Sequence, residues 1–286
     1  MIITKLIGGL GNQMFQYVAG RRAAIANKTE LNFDITGYVH QVGITKREYM
    51  LHIFRIDEKF ATQKEIVEFK RSILFFERIF SRHSQLYVKE KHFHFDPDIL
   101  TIPDNTYLEG YWASEKYFKN IEDIIRKEFI FKDKPDTINQ KMISRIRHCN
   151  SISIHVRRSD YIADPKTHNF HGVCGLGYYK KAVSFITKKA INPFFFVFSD
   201  DPYWCQTNLR FPSPTVYVTH NLGNKDYEDM RLMSTCKHNI IANSSFSWWS
   251  AWLNNNPNKM VITPKKWFNI SSINTSDLIP KQWLKI

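Results

Sequence analysis

Five consecutive apolar residues, FFFVF at positions 194–198, constrain the fold of this chain more than any other stretch. A short run of this kind is typical of a strand that is buried on both faces, as in parallel sheets covered by helices. A basic amphipathic helix is predicted from Gly177 onward, and another strand is predicted at Thr215–His220. The second half of the chain therefore alternates strand and helix, which predicts an α/β fold.

The segment Ser151–Ile162, SISIHVRRSDYI, predicts a buried strand that ends in charged residues. Strand ends in open α/β sheets face the ligand crevice, and an arginine fork fits a phosphate with two hydrogen bonds. The alternation of the strand places His155 and Arg157 on one side and Arg158 on the other. We therefore predict that Arg157 binds an anion and that Arg158 is a positioning residue tied to Asp160. A plain surface ion pair with Asp160 is the alternative.

A glycine-rich turn, GGLGNQ at residues 8–13, follows the first predicted strand and leads into a helix predicted over Asn12–Asn27. The dinucleotide motif GxGxxG is not met, because Met14 stands at the third glycine position. The glycines still permit a ligand to approach the backbone. Asn12 could contact that ligand at the helix N-terminus, or it could only cap the helix. Further helices are predicted at Lys64–Phe80 and Ile138–Arg147.

The segment Ala242–Pro257, ANSSFSWWSAWLNNNP, predicts a helix that begins near Phe246, because Asn and Ser are favoured at helix N-caps. Hydroxyl groups and free backbone N–H groups at such an N-terminus form an uncharged anion site. A capped helix packed through its tryptophans is the alternative. The residues predicted to form the anion site are Asn243, Ser244, Ser245, Phe246 and Ser247.

Length and charge limit the classes of protein to which the chain can belong. Its 286 residues suit two domains. The charged segment Phe131–Gln140 predicts a linker, with domains at 1–135 and 136–286. Lys and Arg number 40 against 27 Asp and Glu, a net charge of +13, which favours nucleotide, nucleic acid or anionic lipid as partner. The basic residues are scattered, so no nucleic-acid partner is predicted. A basic glycan-binding protein without catalysis remains an alternative.

Cysteine spacing and hydropathy favour a cytoplasmic protein. The four cysteines are widely spaced and form no CxxC, which predicts reduced thiols. The chain has no apolar run of 18 residues, and its start does not resemble a signal peptide. HFHFDPD at 92–98 predicts a strand running into a turn, and no metal site is predicted. Peripheral contact with the anionic inner face of a membrane is expected from charge alone.

Several blocks occur in order over nearly the whole chain: GGLGNQMFQYVAGRRAA, YLEGYWASEKYF, HVRRSDYI, FSDD and CKHNIIANSSFSWWSAWLN. Together they resemble bacterial α-1,2-fucosyltransferases, glycosyltransferase family 11. The resemblance implies a GT-B type fold, with two Rossmann-like domains facing across a cleft. The N-terminal domain would lie on the acceptor side, and the C-terminal domain would bind the GDP-sugar.

The same resemblance implies an activity. L-Fucose would pass from the co-substrate GDP-β-L-fucose, with inversion, to the 2-hydroxyl of a galactose-containing oligosaccharide or lipid-linked glycan in O-antigen or capsule biosynthesis. No cofactor and no obligatory metal ion are implied. A fucosyltransferase of another linkage or acceptor is the alternative.

Site residues also follow from the resemblance, through the pattern His-x-Arg-Arg-x-Asp shared by the wider fucosyltransferase group. Arg157 would bind the diphosphate, and Arg158 would support the donor site. The other implied donor contacts are His155 and Asp229 at the guanosine, Asn12 at phosphate and fucose, and Ser245, Phe246 and Ser247 at phosphate and nucleoside. Gly9 stands where protein O-fucosyltransferases carry an arginine, so that arginine has no counterpart here.

Inversion by single displacement needs one base to take the proton of the attacking hydroxyl. Asp160 is the best-placed carboxylate by sequence, with Glu109 and Asp200 as lesser candidates. Tyr111 and Trp112 could stack on an acceptor sugar ring, or they could belong to the core.

Overall fold

The chain folds into two compact units in a computed structural model that describes residues 1–39, 41, 46–70, 87–221 and 223–286. The first unit comprises Met1–Asp133 and Asn274–Leu278, and the second comprises Lys134–Ile273 and Ile279–Ile286. The division after Asp133 lies two residues before the predicted boundary. The prediction placed the whole tail in the second domain, whereas Asn274–Leu278 belongs with the first unit.

Contacts of Asp277 explain why that short segment joins the first unit. Its carboxylate accepts a hydrogen bond from the backbone N–H of Phe95 at 3.2 Å and pairs with Lys116. Its backbone carbonyl accepts from the Ser114 hydroxyl at 2.7 Å. The tail is therefore held to residues from the first half of the chain by hydrogen bonds and an ion pair. No local sequence pattern predicts these contacts.

The first unit is built on a four-stranded parallel sheet in the order β2-β1-β4-β3. Its strands are β1 Ile2–Lys5, β2 Leu31–Asp34, β3 Tyr87–Lys89 and β4 Thr106–Glu109. Its helices include α1 Leu10–Asn27 and α2 Glu122–Glu128, and short 3-10 turns lie in the connections between the elements. Residues 63–70 are helical as well, and the remainder of the helix predicted at 64–80 lies outside the described residues.

The second unit is built on a six-stranded parallel sheet in the order β10-β9-β8-β5-β6-β7. Its strands are β5 Asn150–Val156, β6 Pro193–Ser199, β7 Thr215–Val218, β8 His238–Ile240, β9 Val261–Thr263 and β10 Leu284–Lys285. Its helices are α3 Thr137–Arg147, α4 Ser159–Ala163, α5 Pro165–His171, α6 Leu176–Thr187, α7 Pro202–Asn208, α8 Tyr227–Thr235 and α9 Ser245–Leu253. The α/β prediction is confirmed.

Strand β6 shows why the FFFVF run had to be buried on both sides. Phe195 and Val197 pack with α6 and α7 on one face of the sheet. Phe196 and Phe198 pack on the other face with residues of α3 and α8. Each of these four side chains is at most 2% exposed. Burial on both faces fixes β6 beside β5, and the strand ends then place the following residues at one edge of the sheet.

Three helices, α4, α5 and α7, were not predicted from the sequence. The stretch after Asp160 is rich in Gly, Asn, His and Pro, a composition typical of a loop, but α4 and α5 occupy much of it. Helix α5 forms because Asp164 accepts from the backbone N–H of Lys166 at 3.1 Å, with Pro165 at the first helical position. The same Asp-Pro start begins α7, where Asp201 accepts from the N–H of Trp204 at 3.1 Å. The predicted strand at residues 92–94 is wrong, because the backbone there only bends.

Candidate functional site

The carboxyl edge of the second sheet, where the parallel strands end, carries the charged residues predicted at Ser151–Ile162. Arg157 follows β5 directly and lies between two carboxylates. Its Nη2 is 2.7 Å from Asp160 Oδ1, and its Nη1 is 3.1 Å from Asp200 Oδ2. The three side chains are only 15–21% exposed. The guanidinium fork is thereby held in one orientation at the strand end.

Electrostatics keep Arg157 charged in this setting. Burial by itself lowers the pKa of Arg157, but Asp200 and Asp160 outweigh burial and hold the pKa above its ordinary value. A charged guanidinium with paired carboxylates avoids the large penalty of an isolated buried charge. An incoming anion could therefore exchange with one of the carboxylates without exposing an unpaired cation.

Asp200 holds the turn after β5 as well as the arginine. Its carboxylate accepts from the backbone N–H of Arg158 at 2.9 Å and from that of Ser159 at 3.0 Å. The Ser159 hydroxyl donates to the Asp200 carbonyl at 2.8 Å. Asp200 comes from the end of β6, the neighbour of β5 in the sheet. These bonds give Asp200 a positioning role, which the sequence analysis missed when it treated Asp200 only as a lesser base candidate.

Arg158 points to different partners from those predicted. Its Nε is 3.6 Å from Asp201 Oδ2, and its guanidinium carbon lies 3.7 Å from the ring centre of Trp204 on α7. The predicted tie between Arg158 and Asp160 is wrong, because Asp160 pairs with Arg157. The two adjacent arginines thus separate, as the strand alternation indicates, and Arg158 is anchored to α7.

His155 is the buried member of the motif, at 5% exposure. Burial, with a smaller contribution from the charge of Arg157, lowers the pKa of His155 to about 3, so the ring is neutral at physiological pH. Its Nδ1 is buried and has no hydrogen-bond partner within the described residues. Its ring centre lies 5.7 Å from that of Phe246. A buried nitrogen of this kind is free to bond a ligand group.

Helix α9 begins at the same edge, after β8, and brings the predicted Asn243–Ser247 segment to the site. Ser244 is its N-cap and makes no side-chain capping bond, while the first turn of a helix leaves backbone N–H groups without intrahelical partners. The Ser247 hydroxyl is buried and donates to the carbonyls of Ser244 at 3.3 Å and Ala242 at 3.4 Å. The N–H groups of the first turn are therefore the anion-binding element that this helix offers.

Asn243 has a structural position within that segment. Its amide donates to the carbonyls of His171 at 2.9 Å and Trp267 at 3.1 Å, and its side-chain oxygen accepts from the Cys174 thiol at 3.4 Å. The Tyr161 hydroxyl donates to the Asn243 carbonyl at 3.5 Å. Asn243 joins the end of α5 to the start of α9, so its predicted donor contact stays a prediction.

Asp229, on α8, lies partly buried beside the end of β7. Its Oδ1 accepts from the Asn221 amide at 2.8 Å, and Asn221 in turn bonds Asn139 on α3. Burial, opposed by the Asn221 hydrogen bond, raises the pKa of Asp229 to about 8. At neutral pH this carboxyl group is therefore largely protonated. Perturbed carboxyl groups of this kind are frequent at ligand sites.

Three predicted residues belong to the first unit. Asn12 lies in the first turn of α1, next to Gly8, which has a positive φ of 77°. Tyr111 is 40% exposed and stays available as an acceptor contact, whereas Trp112 is 1% exposed. The predicted stacking of Trp112 on a sugar is therefore wrong, since its ring is buried beside Tyr117, with ring centres 5.8 Å apart.

Glu109, at the end of β4, is occupied by neighbours. It accepts from the Tyr87 hydroxyl at 2.7 Å and from Lys5 at 3.0 Å. Burial raises the pKa of Glu109, but these two hydrogen bonds outweigh burial and hold it below its ordinary value. A carboxylate with a lowered pKa is a weak proton acceptor, so Glu109 is a less suitable general base than the sequence analysis allowed.

Other sequence expectations concern metals, thiols and membranes. Within the described residues, no group of three or more His, Cys, Asp or Glu side chains is placed to hold a metal ion. The four cysteines, Cys149, Cys174, Cys205 and Cys236, form no disulfide with one another, and Cys149 is the least buried of them. No helix in the described ranges combines the length and the apolar character needed to cross a membrane.

Comparison with known proteins agrees with this architecture. The chain matches the family described as "Glycosyl transferase family 11" over residues 1–286. An Escherichia coli α-1,2-colitosyltransferase is 34% identical, covering 100% of this chain and 99% of its own length. The O-antigen biosynthesis glycosyltransferase WbnK of Escherichia coli is 32% identical, covering 98% and 99%. A galactoside α-(1,2)-fucosyltransferase 1 of Rattus norvegicus is 27% identical over 51% of this chain and 41% of its own length.

Among solved structures, a mutant of Arabidopsis thaliana FUT1 in complex with GDP superposes with a TM-score of 0.51 at 11% identity, covering 93% of this chain and 71% of that one. At that identity the likeness concerns the fold alone, and the predicted α/β fold of GT-B type is confirmed. The family match over every residue, together with the two full-length relatives, identifies the chain as a member of glycosyltransferase family 11.

Proposed function

We propose that this glycosyltransferase moves L-fucose from GDP-β-L-fucose to the 2-hydroxyl of a galactose-containing glycan, with inversion and with no obligatory metal ion. The observation that carries the proposal is Arg157, held charged and oriented at the end of β5, while the neighbouring strand β8 is followed by the N-terminus of α9. An oriented cation and the backbone N–H groups at a helix N-terminus suit a diphosphate leaving group. The α-1,2 linkage in the names of two relatives supports the 2-hydroxyl.

The proposed chemistry is a single displacement. The acceptor hydroxyl oxygen bonds to C1 of the sugar as the bond from C1 to the diphosphate oxygen breaks, and the bonding electrons leave with GDP. Arg157 and the α9 N–H groups stabilise the charge that develops on the diphosphate. Preorganised donors of this kind commonly contribute a few kcal/mol each in a site that excludes water.

Asp160 is the proposed base for the hydroxyl proton. In the free protein its Oδ1 is 2.7 Å from Arg157 Nη2, so the carboxylate is occupied by this ion pair. A bound diphosphate would compete for the same guanidinium and release the carboxylate. Base activation would then depend on donor binding, while Asp200 continues to hold the arginine and the turn.

Nucleoside recognition is the proposed role of His155, Phe246 and Asp229. His155 offers an unpartnered buried nitrogen beside the Phe246 ring. Asp229 offers a carboxyl group to the N–H groups of a guanine edge. Asn12, next to Gly8, is the proposed donor contact from the first unit.

A second candidate sugar is favoured by one observation, the 34% identity with a colitosyltransferase. Colitose is L-fucose without its 3-hydroxyl, so one site could accept either sugar. The test is a GDP-release assay with GDP-fucose and GDP-colitose against a panel of galactosides, followed by linkage analysis of the product. We expect galactoside-dependent release from GDP-fucose and an α-1,2 product. A strong preference for GDP-colitose, or a product of another linkage, would contradict the proposal.

A further inference from the structure

The positive charge of the chain resides almost entirely in the second unit. That unit carries 20 Lys and Arg against 8 Asp and Glu, a formal net charge of +12. The first unit carries 20 against 19, a formal net charge of +1. A donor site for one diphosphate does not need an excess of twelve positive charges. A second function of the basic residues would explain the excess.

The eight carboxylates of the second unit all lie near the carboxyl edge of its sheet, in segments that follow strands or begin helices. They are Asp136, Asp160, Asp164, Asp200, Asp201, Asp226, Glu228 and Asp229. Five of them pair with cations at that edge, and Asp164 caps α5. The rest of the surface of this unit is therefore basic without acidic residues between the cations.

Helix α6 presents one part of this basic surface. Its inner side, including Ala182 and Ile186, packs in the core against β5 and β6. Its outer side and the residue stretch just after it form what we call the α6 face, which consists of Lys180, Lys181, Phe185, Lys188, Lys189 and Ile191. Within the described residues none of these lysines forms an ion pair. Phe185 is 37% exposed and Ile191 is 80% exposed.

Ordinary helix chemistry explains only part of the α6 face. Lys188 and Lys189 follow the last turn, where cations complement the helix dipole. Lys180 and Lys181 lie mid-helix, where a solvated helix would gain from acidic partners three or four residues away. No acidic residue occurs in α6. The exposure of Phe185 and Ile191 among these lysines has no packing explanation either.

We propose that the α6 face is a docking surface for an anionic phospholipid membrane. Lysines flanking exposed apolar side chains on the outer side of an amphipathic helix are the pattern by which proteins lie on charged bilayers. Phe185 and Ile191 would enter the interface while the lysine ammonium groups reach lipid phosphates. Because α6 covers one face of the sheet, the carboxyl edge stays accessible to substrates. This inference does not depend on the donor or the acceptor.

The test is co-sedimentation of the full chain with vesicles of phosphatidylcholine alone or mixed with phosphatidylglycerol, at low and high salt. We expect binding only to the anionic vesicles, weakened by salt. The variant with Lys180→Gln, Lys181→Gln, Lys188→Gln and Lys189→Gln should bind at least about tenfold more weakly, because each basic residue near such a surface adds severalfold to affinity. Thermal unfolding should be nearly unchanged, because these side chains are exposed.

The matched control removes the same charge elsewhere in the second unit: Lys265→Gln, Lys266→Gln, Lys281→Gln and Lys285→Gln. It should retain most of the binding, and equal loss in both quadruple variants would overturn the α6 face. The pair Phe185→Ser and Ile191→Ser should weaken vesicle binding but leave heparin binding unchanged. Absence of vesicle binding, with a salt-sensitive shift of random-sequence DNA instead, would assign the charge to nucleic acid and overturn the proposal.

Discussion

Arg157 contacts two carboxylates from different parts of the chain, and this determines how much of the site a sequence can predict. Its role follows from local information, since strand alternation and the charges after β5 lie within one short segment. Its partner Asp200 is far away in the sequence, 42 residues after Arg158. Asp200 contacts Arg157 only because β5 and β6 are neighbours in the sheet. The pairing register of β5 and β6 cannot be read from the spacing of residues along the chain, so the positioning role of Asp200 could not be predicted.

Replacement of Arg157 tests the proposed diphosphate contact. Arg157→Ala should lower kcat/KM on the order of a hundredfold, because a preorganised electrostatic donor is lost. The measurement is GDP release under donor-saturating and subsaturating conditions, with circular dichroism to confirm the fold. Arg147→Ala, at an exposed arginine on α3, is the control and should retain full activity. Retention of more than about a tenth of the activity by Arg157→Ala would refute the assignment.

Asp229 makes GDP affinity depend on pH if it binds the guanine edge as a carboxylate. Because its pKa is about 8 in the free protein, the carboxyl group must lose a proton before it can accept two N–H bonds. Affinity should therefore rise up to about tenfold for each pH unit between 6 and 7.5 and level off above 8. Calorimetric titration with GDP measures this, and Asp229→Asn should remove the slope. A flat wild-type profile would place the guanine elsewhere.

The same group affects stability in the opposite direction. Its pKa in the folded chain is raised from an ordinary value of 3.8 to about 8, so folding favours the protonated form. The contribution of Asp229 to stability is complete below about pH 4 and is lost as the pH rises through 8. Asp229→Asn should therefore gain stability over the wild type as the pH rises. Urea unfolding at pH 5 and pH 8 checks the sign, and a variant whose stability relative to the wild type is lower at pH 8 than at pH 5 would contradict it.

Among the elements, those with strong periodicity or a two-sided apolar run were predicted well, including α1, β5, β6 and α9. Helices α4, α5 and α7 were missed because they are short and are formed by caps rather than by an apolar stripe. The Asp-Pro pairs at Asp164 and Asp201 could have predicted the starts of α5 and α7, because Asp caps a helix and Pro is favoured at its first position. Trp112 was misassigned because sequence does not tell a stacking aromatic residue from a buried one.

The turn before α1 offers a test with its own control. A Cβ atom at Gly8, where φ is +77°, would lie 2.7 Å from Asn12 Nδ2, whereas one at Gly9 would meet nothing within 4 Å. Gly8→Ala should cost about 1–2 kcal/mol of stability from the left-handed backbone alone, and it should also displace Asn12. Thermal unfolding and donor KM measure the two effects.

Gly9→Ala should leave stability within about 0.5 kcal/mol of the wild type, since its φ of −78° suits any residue. If Gly9→Ala raises donor KM without loss of stability, a ligand approaches the backbone there. Equal unfolding temperatures for Gly8→Ala and the wild type would show that the turn tolerates a side chain.

For the whole molecule, the two-unit division and the parallel sheets could be anticipated from length and alternation, whereas the return of Asn274–Leu278 to the first unit could not. That return depends on bonds between Asp277 and residues more than 160 positions earlier. The distribution of charge likewise could be predicted only in part from the sequence. The total of +13 is visible in the composition, but its concentration in one unit depends on where the chain divides.

Removal of metal ions tests the whole proposed reaction. GDP at a hundred times its Kd should stabilise the chain by about 2.7 kcal/mol, provided it binds only the folded state. Excess EDTA should change neither this stabilisation nor the transfer rate, because Arg157 and α9 are proposed to take the role of a metal at the diphosphate. Differential scanning calorimetry and GDP release in matched buffers measure both. Loss of activity in EDTA, restored by added magnesium, would require a metal in the mechanism.

The tail segment Asn274–Leu278 also limits how members of this family can be recombined. A chimera that exchanges only residues 1–133 would place a foreign chain opposite the native Asp277, which pairs with Lys116 and accepts from Ser114 and Phe95. Exchange of the complete first unit between relatives therefore requires two grafts, one at each end of the chain. Libraries built with a single crossover after Asp133 would separate Asp277 from the residues with which it pairs in the native chain.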